Sequence, residues 1–196
     1  MAVAPISAES FQWHNPPLRF DFSSNQIMIE PHGETDCIRS FESTIADSAS
    51  FLFTPISGDF TFQAKINCEL VGLFDAGALM VRESTESWAK ICIEKCADGR
   101  VSIVSVVTDG WSDDTNNEVL ESTEAFLRIT RKGNMIGMHY SLDGKYWRFV
   151  RKFGLPWSEQ LQVGVAAQAP RQAGCRVHIE QMKLSAKPVS NFRNGE

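Results

Sequence analysis

The clearest pattern in the chain is a strict alternation of apolar and polar residues from Asp59 to Leu70. Phe60 and Phe62 fall on one side of this alternation, while Thr61 and Gln63 fall on the other. Successive side chains of a β-strand point to opposite faces, so a period of two over this length is typical of a strand with one buried face. The segment is therefore predicted to be a long strand that contributes Phe60 and Phe62 to a core.

Shorter segments with the same period occur along the rest of the chain, separated by Gly, Asp and Asn turns. They predict strands over 11–13, 19–22, 26–29, 50–53, 78–82, 88–94, 100–108, 126–131, 135–142, 146–150, 162–167 and 174–184. Asp98-Gly99 and Asp143-Gly144 favour hairpin turns. No apolar stripe of helical period persists, so helices should be minor. The pattern predicts an all-β fold, a two-sheet antiparallel β-sandwich.

The chain shows no repeat and no interdomain linker, which favours a single domain over residues 1–196. Its core should run from about residue 10 to residue 186, and the polar residues 187–196 should form a loosely held tail. Residues 31–49 are irregular and are expected to cross a sheet edge. Residues 109–117 are expected to form a polar loop.

Charge and cysteine content narrow the classes of partner. The formal net charge is −5 without a basic patch, so nucleic acid is not an expected partner. No window approaches the roughly eighteen apolar residues of a membrane span, and the first residues do not read as a secretory signal. The five cysteines are odd in number and match no disulfide or zinc pattern. These features predict a cytoplasmic protein with no membrane segment, no metal and no cofactor.

Three segments in a fixed order indicate a protein family more specifically than the strand periodicity does. They are Asp75–Arg82 leading into Trp88–Glu94, then Val106–Ser112, then Tyr140–Trp147. In order and spacing they resemble a family of proteins of unknown function with a concanavalin A-like jelly-roll fold, which includes the fungal regulation-of-enolase protein. The resemblance covers nearly the whole chain. It implies a sandwich with one sheet curved into a concave face, the face on which related lectin and glucanase folds hold sugars.

The predicted strands place four candidate ligand-binding residues on one polar face. Arg82 ends one strand, and Trp88, Lys90 and Glu94 alternate along the next. If the two strands pair, the four side chains lie close together. An aromatic ring beside charged hydrogen-bonding groups suits a sugar. The alternative is an ordinary solvated face with a charge pair and a packed tryptophan.

Three more residues are candidates for the same ligand site. Trp111 lies in the predicted polar loop, where it could form a rim or fold back onto the core. Arg128 and Tyr140 lie on adjacent predicted strands and could extend the concave site or form a plain cross-strand pair.

No catalytic pattern emerges from the sequence. Glycanases need two carboxylates that flank the sugar bond, but the neighbours of Glu94 along its strand face are Cys92 and Cys96. The leading hypothesis is a non-catalytic binding module for a carbohydrate or polar metabolite. A second hypothesis is an intracellular regulatory protein that docks on a metabolic enzyme, and a third is a glycoside-active enzyme whose carboxylates come from distant strands.

Overall fold

A computed structural model describes residues 11–23, 26–42 and 44–196. These residues form sixteen β-strands, and no helix occurs in the described ranges. In chain order the strands are β1 (Gln12–His14), β2 (Arg19–Phe22), β3 (Gln26–Glu30), β4 (Cys37–Arg39), β5 (Ile45–Asp47), β6 (Ser50–Ser57), β7 (Phe60–Glu69), β8 (Ala76–Arg82), β9 (Ser87–Lys95), β10 (Val101–Asp109), β11 (Trp111–Val119), β12 (Glu124–Lys132), β13 (Met135–Ser141), β14 (Arg148–Gly154), β15 (Gln160–Gln168) and β16 (Arg176–Ser185).

Two seven-stranded antiparallel sheets make up the body of the protein. The first sheet has the order β1-β6-β15-β8-β9-β10-β11, and the second has the order β14-β13-β12-β7-β16-β3-β2. A separate hairpin pairs β4 with β5. The predicted two-sheet antiparallel sandwich is confirmed.

The space between the two sheets, here called the sandwich interior, is filled by the apolar set of each alternating strand. Phe60, Phe62 and Ile66 of β7 are fully buried there, as the alternation predicts. Leu79 of β8 and Ile91 of β9 face them from the first sheet. Each such buried side chain contributes on the order of 2 kcal/mol through removal of apolar surface from water.

The outer face of the first sheet is also buried, because the β4–β5 hairpin lies across it. Met80, Trp88 and Cys92 point away from the sandwich interior and pack beneath this hairpin, against Cys37 and Ile38 of β4. We call this space the second interior. The irregular segment 31–49 therefore covers a sheet face as well as an edge.

Two expectations about irregular segments are wrong. Residues 111–119 form the edge strand β11 and not a loop. Most of its side chains are exposed, so no alternation of burial marked it in the sequence. The tail is not loosely held either, because Phe192 is buried, His139 Nε2 lies 2.8 Å from the Phe192 carbonyl oxygen, and Arg128 donates to the Gly195 carbonyl at 2.6 Å.

Candidate functional site

A cavity of about 540 Å³ opens in the second interior, between the first sheet and the hairpin. Its floor is formed by β9, β10 and β11, and one wall is formed by β4 and β5 together with Ser40 and Thr44. Its lining contains Glu34, Asp36, Ile38, Ser40, Thr44, Ala46, Phe74, Lys90, Glu94, Cys96, Ala97, Val104, Val106, Asp114, Asn116, Gln168, Pro170 and Arg171. The volume lies in the range typical of small-molecule sites.

The hairpin that forms the wall is fixed to the sheet by a two-pronged ion pair. Arg82 at the end of β8 donates from both terminal nitrogens to the Asp47 carboxylate of β5, at 2.7 and 2.8 Å. The Arg82 side chain is 5% exposed, so its charge is shielded from water. Loss of the Asp47 partner would leave this buried charge unpaired and would destabilise the fold. A second attachment lies at the other end of the hairpin, where Arg39 Nε donates to the Gly110 carbonyl at 2.7 Å.

Lys90 projects from β9 into the second interior and joins three elements. Its Nζ donates to the Cys37 carbonyl of β4 at 2.8 Å and to Gln168 Oε1 of β15 at 2.7 Å. Burial by itself lowers the pKa of this ammonium, but the nearby Cys92, Cys37, Asp36 and Glu94 raise it above its ordinary value. Lys90 is therefore a buried positive charge that already has two hydrogen-bond acceptors.

Glu94, four residues further along β9, is a buried charged group of the cavity with little pairing inside the protein. The only hydrogen bond to its carboxylate among the described residues is a weak one from Cys92 Sγ at 3.8 Å. Burial raises the pKa of Glu94 from 4.5 to about 7, with Lys90 opposing the shift and Asp36 adding to it. A buried carboxyl with free acceptor positions facing a cavity is a group that a ligand can satisfy.

The strand register brings the edge strand β11 into the site. Lys90 and Asp114 are both paired with Val106, so the three residues form one row across β9, β10 and β11. Cys92 and Asn116 form the next row through Val104 in the same way. Residues of one row point to the same face of a sheet, which is why Asp114 and Asn116 reach the cavity.

Acidic groups outnumber basic groups around the cavity. Four carboxylates, Glu34, Asp36, Glu94 and Asp114, line it beside two cations, Lys90 and Arg171. Lys90 is already bonded within the protein, and the Arg171 guanidinium lies 5.4 Å from the Phe74 ring centroid. The cavity thus offers mainly hydrogen-bond acceptors.

Two residues of the cavity wall have a left-handed backbone conformation, which residues other than glycine rarely adopt. Glu34 has φ of 63° and Phe74 has φ of 68°, and the other non-glycine residues with positive φ in the described ranges are Asn15 and Gln181. The left-handed region costs a residue with a Cβ on the order of 1–2 kcal/mol. At Phe74 the conformation is held by the neighbours, because its N–H donates to the Lys95 carbonyl and its carbonyl accepts from Gln168 Nε2. Such strain occurs preferentially at binding sites.

Of the four residues predicted to share the concave face, two line the cavity and two do not. Lys90 and Glu94 are in the lining, as described above. Arg82 lies on the predicted face, but Asp47 occupies its guanidinium, so it holds the hairpin. Trp88 is 1% exposed and packs inside the second interior, with Lys90 Nζ 5.7 Å from its ring centroid. A stacking role for Trp88 on a ligand is therefore wrong.

The three outlying candidates do not line the cavity. Trp111 is 44% exposed and contacts Phe41 of the hairpin tip, with ring centroids 4.8 Å apart. Arg128 lies on the second sheet, where its guanidinium stacks 3.4 Å from the Trp147 ring centroid. Tyr140 is buried in the sandwich interior with its hydroxyl near Arg148. Arg128 and Tyr140 point to opposite faces of the second sheet, so the proposed extension of the concave site through them is wrong.

Sequence reasoning missed most of the acceptors that line the cavity. Asp114 and Asn116 were assigned to a loop, although their spacing of two is the signal of a strand face once β11 is recognised. Asp36 lies in the irregular segment, and Gln168 is the last residue of its strand. No local pattern marks either of these two residues, because the fold alone brings them to the cavity.

Neither a metal cluster nor a membrane helix is found in the part of the chain that the structure describes. No three His, Cys, Asp or Glu side chains of residues 11–23, 26–42 and 44–196 are placed to hold a metal ion. Within the same ranges, no helix has the length and apolarity that crossing a bilayer requires.

Fold and site together define a jelly-roll sandwich with a cavity between its first sheet and the β4–β5 hairpin. The chain belongs to the family described as "Protein of unknown function (DUF1349)", whose model matches residues 13–187. It is 30% identical over 176 residues to "Regulation of enolase protein 1" of Saccharomyces cerevisiae, a match that covers 89% of this chain and 88% of the yeast protein. The resemblance seen in the sequence is confirmed.

Solved structures show the same fold. A functionally unknown protein from Saccharomyces cerevisiae superposes with a TM-score of 0.86 at 28% identity, covering 91% of this chain and 97% of that one. The carbohydrate-binding module CBM66 from Bacillus subtilis superposes with a TM-score of 0.60 at 12% identity, covering 90% and 95% of the two chains. At 12% identity, the similarity to this carbohydrate-binding module shows a shared fold and nothing more.

Proposed function

We propose that this protein is a non-catalytic binding module whose second interior holds a neutral polyhydroxylated ligand such as a mono- or disaccharide. The observation that carries the proposal is the Glu94 carboxyl, buried at the cavity wall with only a weak thiol donor. A buried acceptor without a good donor is costly, and a ligand hydroxyl removes that cost. The same reasoning applies to the surrounding carboxylates and amides.

The chemistry of the lining supports hydroxyl groups over anions. Asp36, Glu94 and Asp114 accept hydrogen bonds, and a hydroxyl can donate to each of them. A phosphate or carboxylate ligand would instead meet three like charges with Lys90 already bonded to Cys37 and Gln168. Sugar phosphates and uronates should therefore bind far more weakly than the corresponding neutral sugars.

Apolar surface inside the cavity supports a sugar ring in particular. Ile38, Val104 and Val106 lie among the polar groups, and Phe74 presents an aromatic ring. Such alternation of apolar and polar contacts suits the C–H faces and hydroxyls of a pyranose. The carbohydrate-binding module from Bacillus subtilis has this fold, which is compatible with the proposal.

Calorimetric titration of the full-length protein with neutral monosaccharides, disaccharides and polyols tests the proposal. We expect saturable binding of at least one of them, and weakening by about tenfold or more in Glu94→Gln and in Asp114→Asn, because each replaces an acceptor oxygen with an amide nitrogen that can only donate. Asp113→Asn is the matched control. It changes the adjacent residue of β11, which is not part of the lining.

The outcomes separate the hypotheses. Binding that both cavity variants lose and the control retains supports the proposal, whereas equal affinity in all three variants contradicts it. Turnover of a bound saccharide during the titration would favour the glycoside-active enzyme, for which Glu94, with its pKa near 7, is the acid candidate beside Asp114.

A second candidate function is regulation of a metabolic enzyme by docking. It is favoured by the name of the yeast relative and by an exposed apolar patch at the hairpin tip, made of Phe41, Ile45 and Trp111. Five free, buried cysteines support a cytoplasmic location for such a role. If every saccharide and polyol fails to bind, docking of enolase to this patch becomes the function to test.

A further inference from the structure

The edge strand β2 leaves an apolar surface at one end of the sandwich. All four of its residues are exposed, and Phe20 and Phe22 are 50% and 37% exposed. Phe20 contacts Trp13 and Phe22, with ring centroids 5.4 and 5.5 Å apart. Leu18, just before the strand, is also exposed. Large side chains in such a cluster on a sheet edge mark an interaction surface.

The backbone of this edge is free to accept another strand. Ser23 N–H donates to the Gln26 carbonyl at 2.9 Å, which makes these two residues a hydrogen-bonded pair at the β2–β3 turn. Bonded and non-bonded pairs alternate along an antiparallel ladder. Phe22 and Phe20, opposite Ile27 and Ile29, are therefore non-bonded positions. Their N–H and C=O groups point outward, and within the described residues β2 pairs with β3 alone.

The side chains of β2 are arranged so that the strand complements itself. Arg19 and Asp21 flank Phe20 on the opposite face of the sheet. In an antiparallel pair centred on Phe20, Arg19 of each copy lies opposite Asp21 of the other, and the two Phe20 rings lie side by side. Leu18 then lies opposite Phe22 of the second copy. Within the described residues, neither Arg19 nor Asp21 has an ion pair inside the chain.

We infer that β2 is a dimerisation edge, and that a second copy of this chain pairs with it antiparallel about a two-fold axis through Phe20. The pairing joins the second sheets of two molecules into one continuous sheet. It satisfies the outward N–H and C=O groups of Phe20 and Phe22, and it buries the exposed aromatic cluster on both sides. An isologous contact of this kind closes on itself and leaves no free β2 edge.

Charge reversal tests this register with the full-length protein in sedimentation equilibrium. The wild-type protein should be dimeric at micromolar to millimolar concentration. Asp21→Arg places two arginines opposite each other at both ends of the pair, and it should weaken the dimer by about tenfold or more. The double variant Arg19→Asp/Asp21→Arg swaps the two charges and should return the dissociation constant to within about threefold of the wild-type value.

The matched control is Glu121→Arg, which makes the same change of net charge at an exposed residue just before β12, a strand that three other strands separate from β2. It should leave the dimer unchanged. Hydrogen exchange gives a second measurement, because the amides of Phe20 and Phe22 should become protected as protein concentration rises while other edge amides do not. A wild-type monomer at millimolar concentration overturns the inference. A dimer that Asp21→Arg does not weaken also overturns it, since the contact would then lie elsewhere.

Discussion

The two interiors of this protein share the first sheet but are built differently. The sandwich interior is almost entirely apolar, with Ile91 of β9 packed among side chains of both sheets. The second interior, on the other face of the same strand, contains Trp88 and Cys92 together with the charged Lys90 and Glu94. An apolar interior stabilises the fold. Buried charges with incomplete partners lower the stability, and a ligand that hydrogen-bonds to them can restore it.

The largest expected effect comes from removing apolar volume from the sandwich interior. Ile91→Ala should lower the free energy of unfolding by about 3–5 kcal/mol, because the rigid surroundings leave a cavity. Denaturant unfolding at neutral pH measures this change. Cys92→Ala, the next residue on the opposite face, is the control and should cost much less, since it removes a single sulfur atom. A loss for Cys92→Ala as large as the loss for Ile91→Ala would contradict the expectation that the cost follows the apolar volume removed.

The second effect concerns the charge of Glu94 and depends on pH. The pKa of Glu94 in the folded protein, about 7, lies above its ordinary value of 4.5, so the folded state binds the proton more tightly. Proton binding to Glu94 therefore stabilises the folded state. This contribution is fully present below about pH 4.5 and is lost as the pH rises through 7. Glu94→Gln should therefore unfold like the wild-type protein at pH 4.5 and be more stable at pH 8, by up to about 3 kcal/mol.

Thermal unfolding of both proteins across this pH range, with ligand absent, measures the difference. Glu180→Gln, on the outer side of the second sheet, is the control, and it should change the stability little because the Glu180 side chain is 42% exposed. A difference between wild type and Glu94→Gln that stays constant with pH would contradict the burial of the Glu94 carboxyl at this wall.

These two effects also show which parts of the molecule the sequence could predict. Ile91 and Glu94 were assigned to opposite faces of one strand from alternation alone, and the structure has them so. The hairpin over the second interior could not be predicted, because Cys37 and Asp47 are far along the chain from the Lys90 and Arg82 that bind them. Long-range hydrogen bonds and ion pairs of this kind leave no periodic signal in the sequence.

The smallest expected effect concerns backbone strain at the cavity wall. Glu34 has φ of 63° and an exposed side chain, so Glu34→Gly should raise the stability by about 1 kcal/mol or less by relieving the left-handed conformation. Differential scanning calorimetry would detect the rise in Tm. Glu42→Gly, nearby on the hairpin tip without a positive φ, is the control and should not stabilise the protein. A loss of stability in Glu34→Gly would mean that its side chain makes a favourable contact in the wall.

The ligand site in the second interior is best tested by mapping backbone amide and side-chain NMR shifts during titration with the saccharide that binds most tightly. We expect the perturbed residues to cluster on the cavity wall, around Phe74, Glu94, Asp114 and Gln168, with the sandwich interior unaffected. Perturbations confined to the hairpin tip around Trp111, or to the outer face of the second sheet around Arg128, would contradict it.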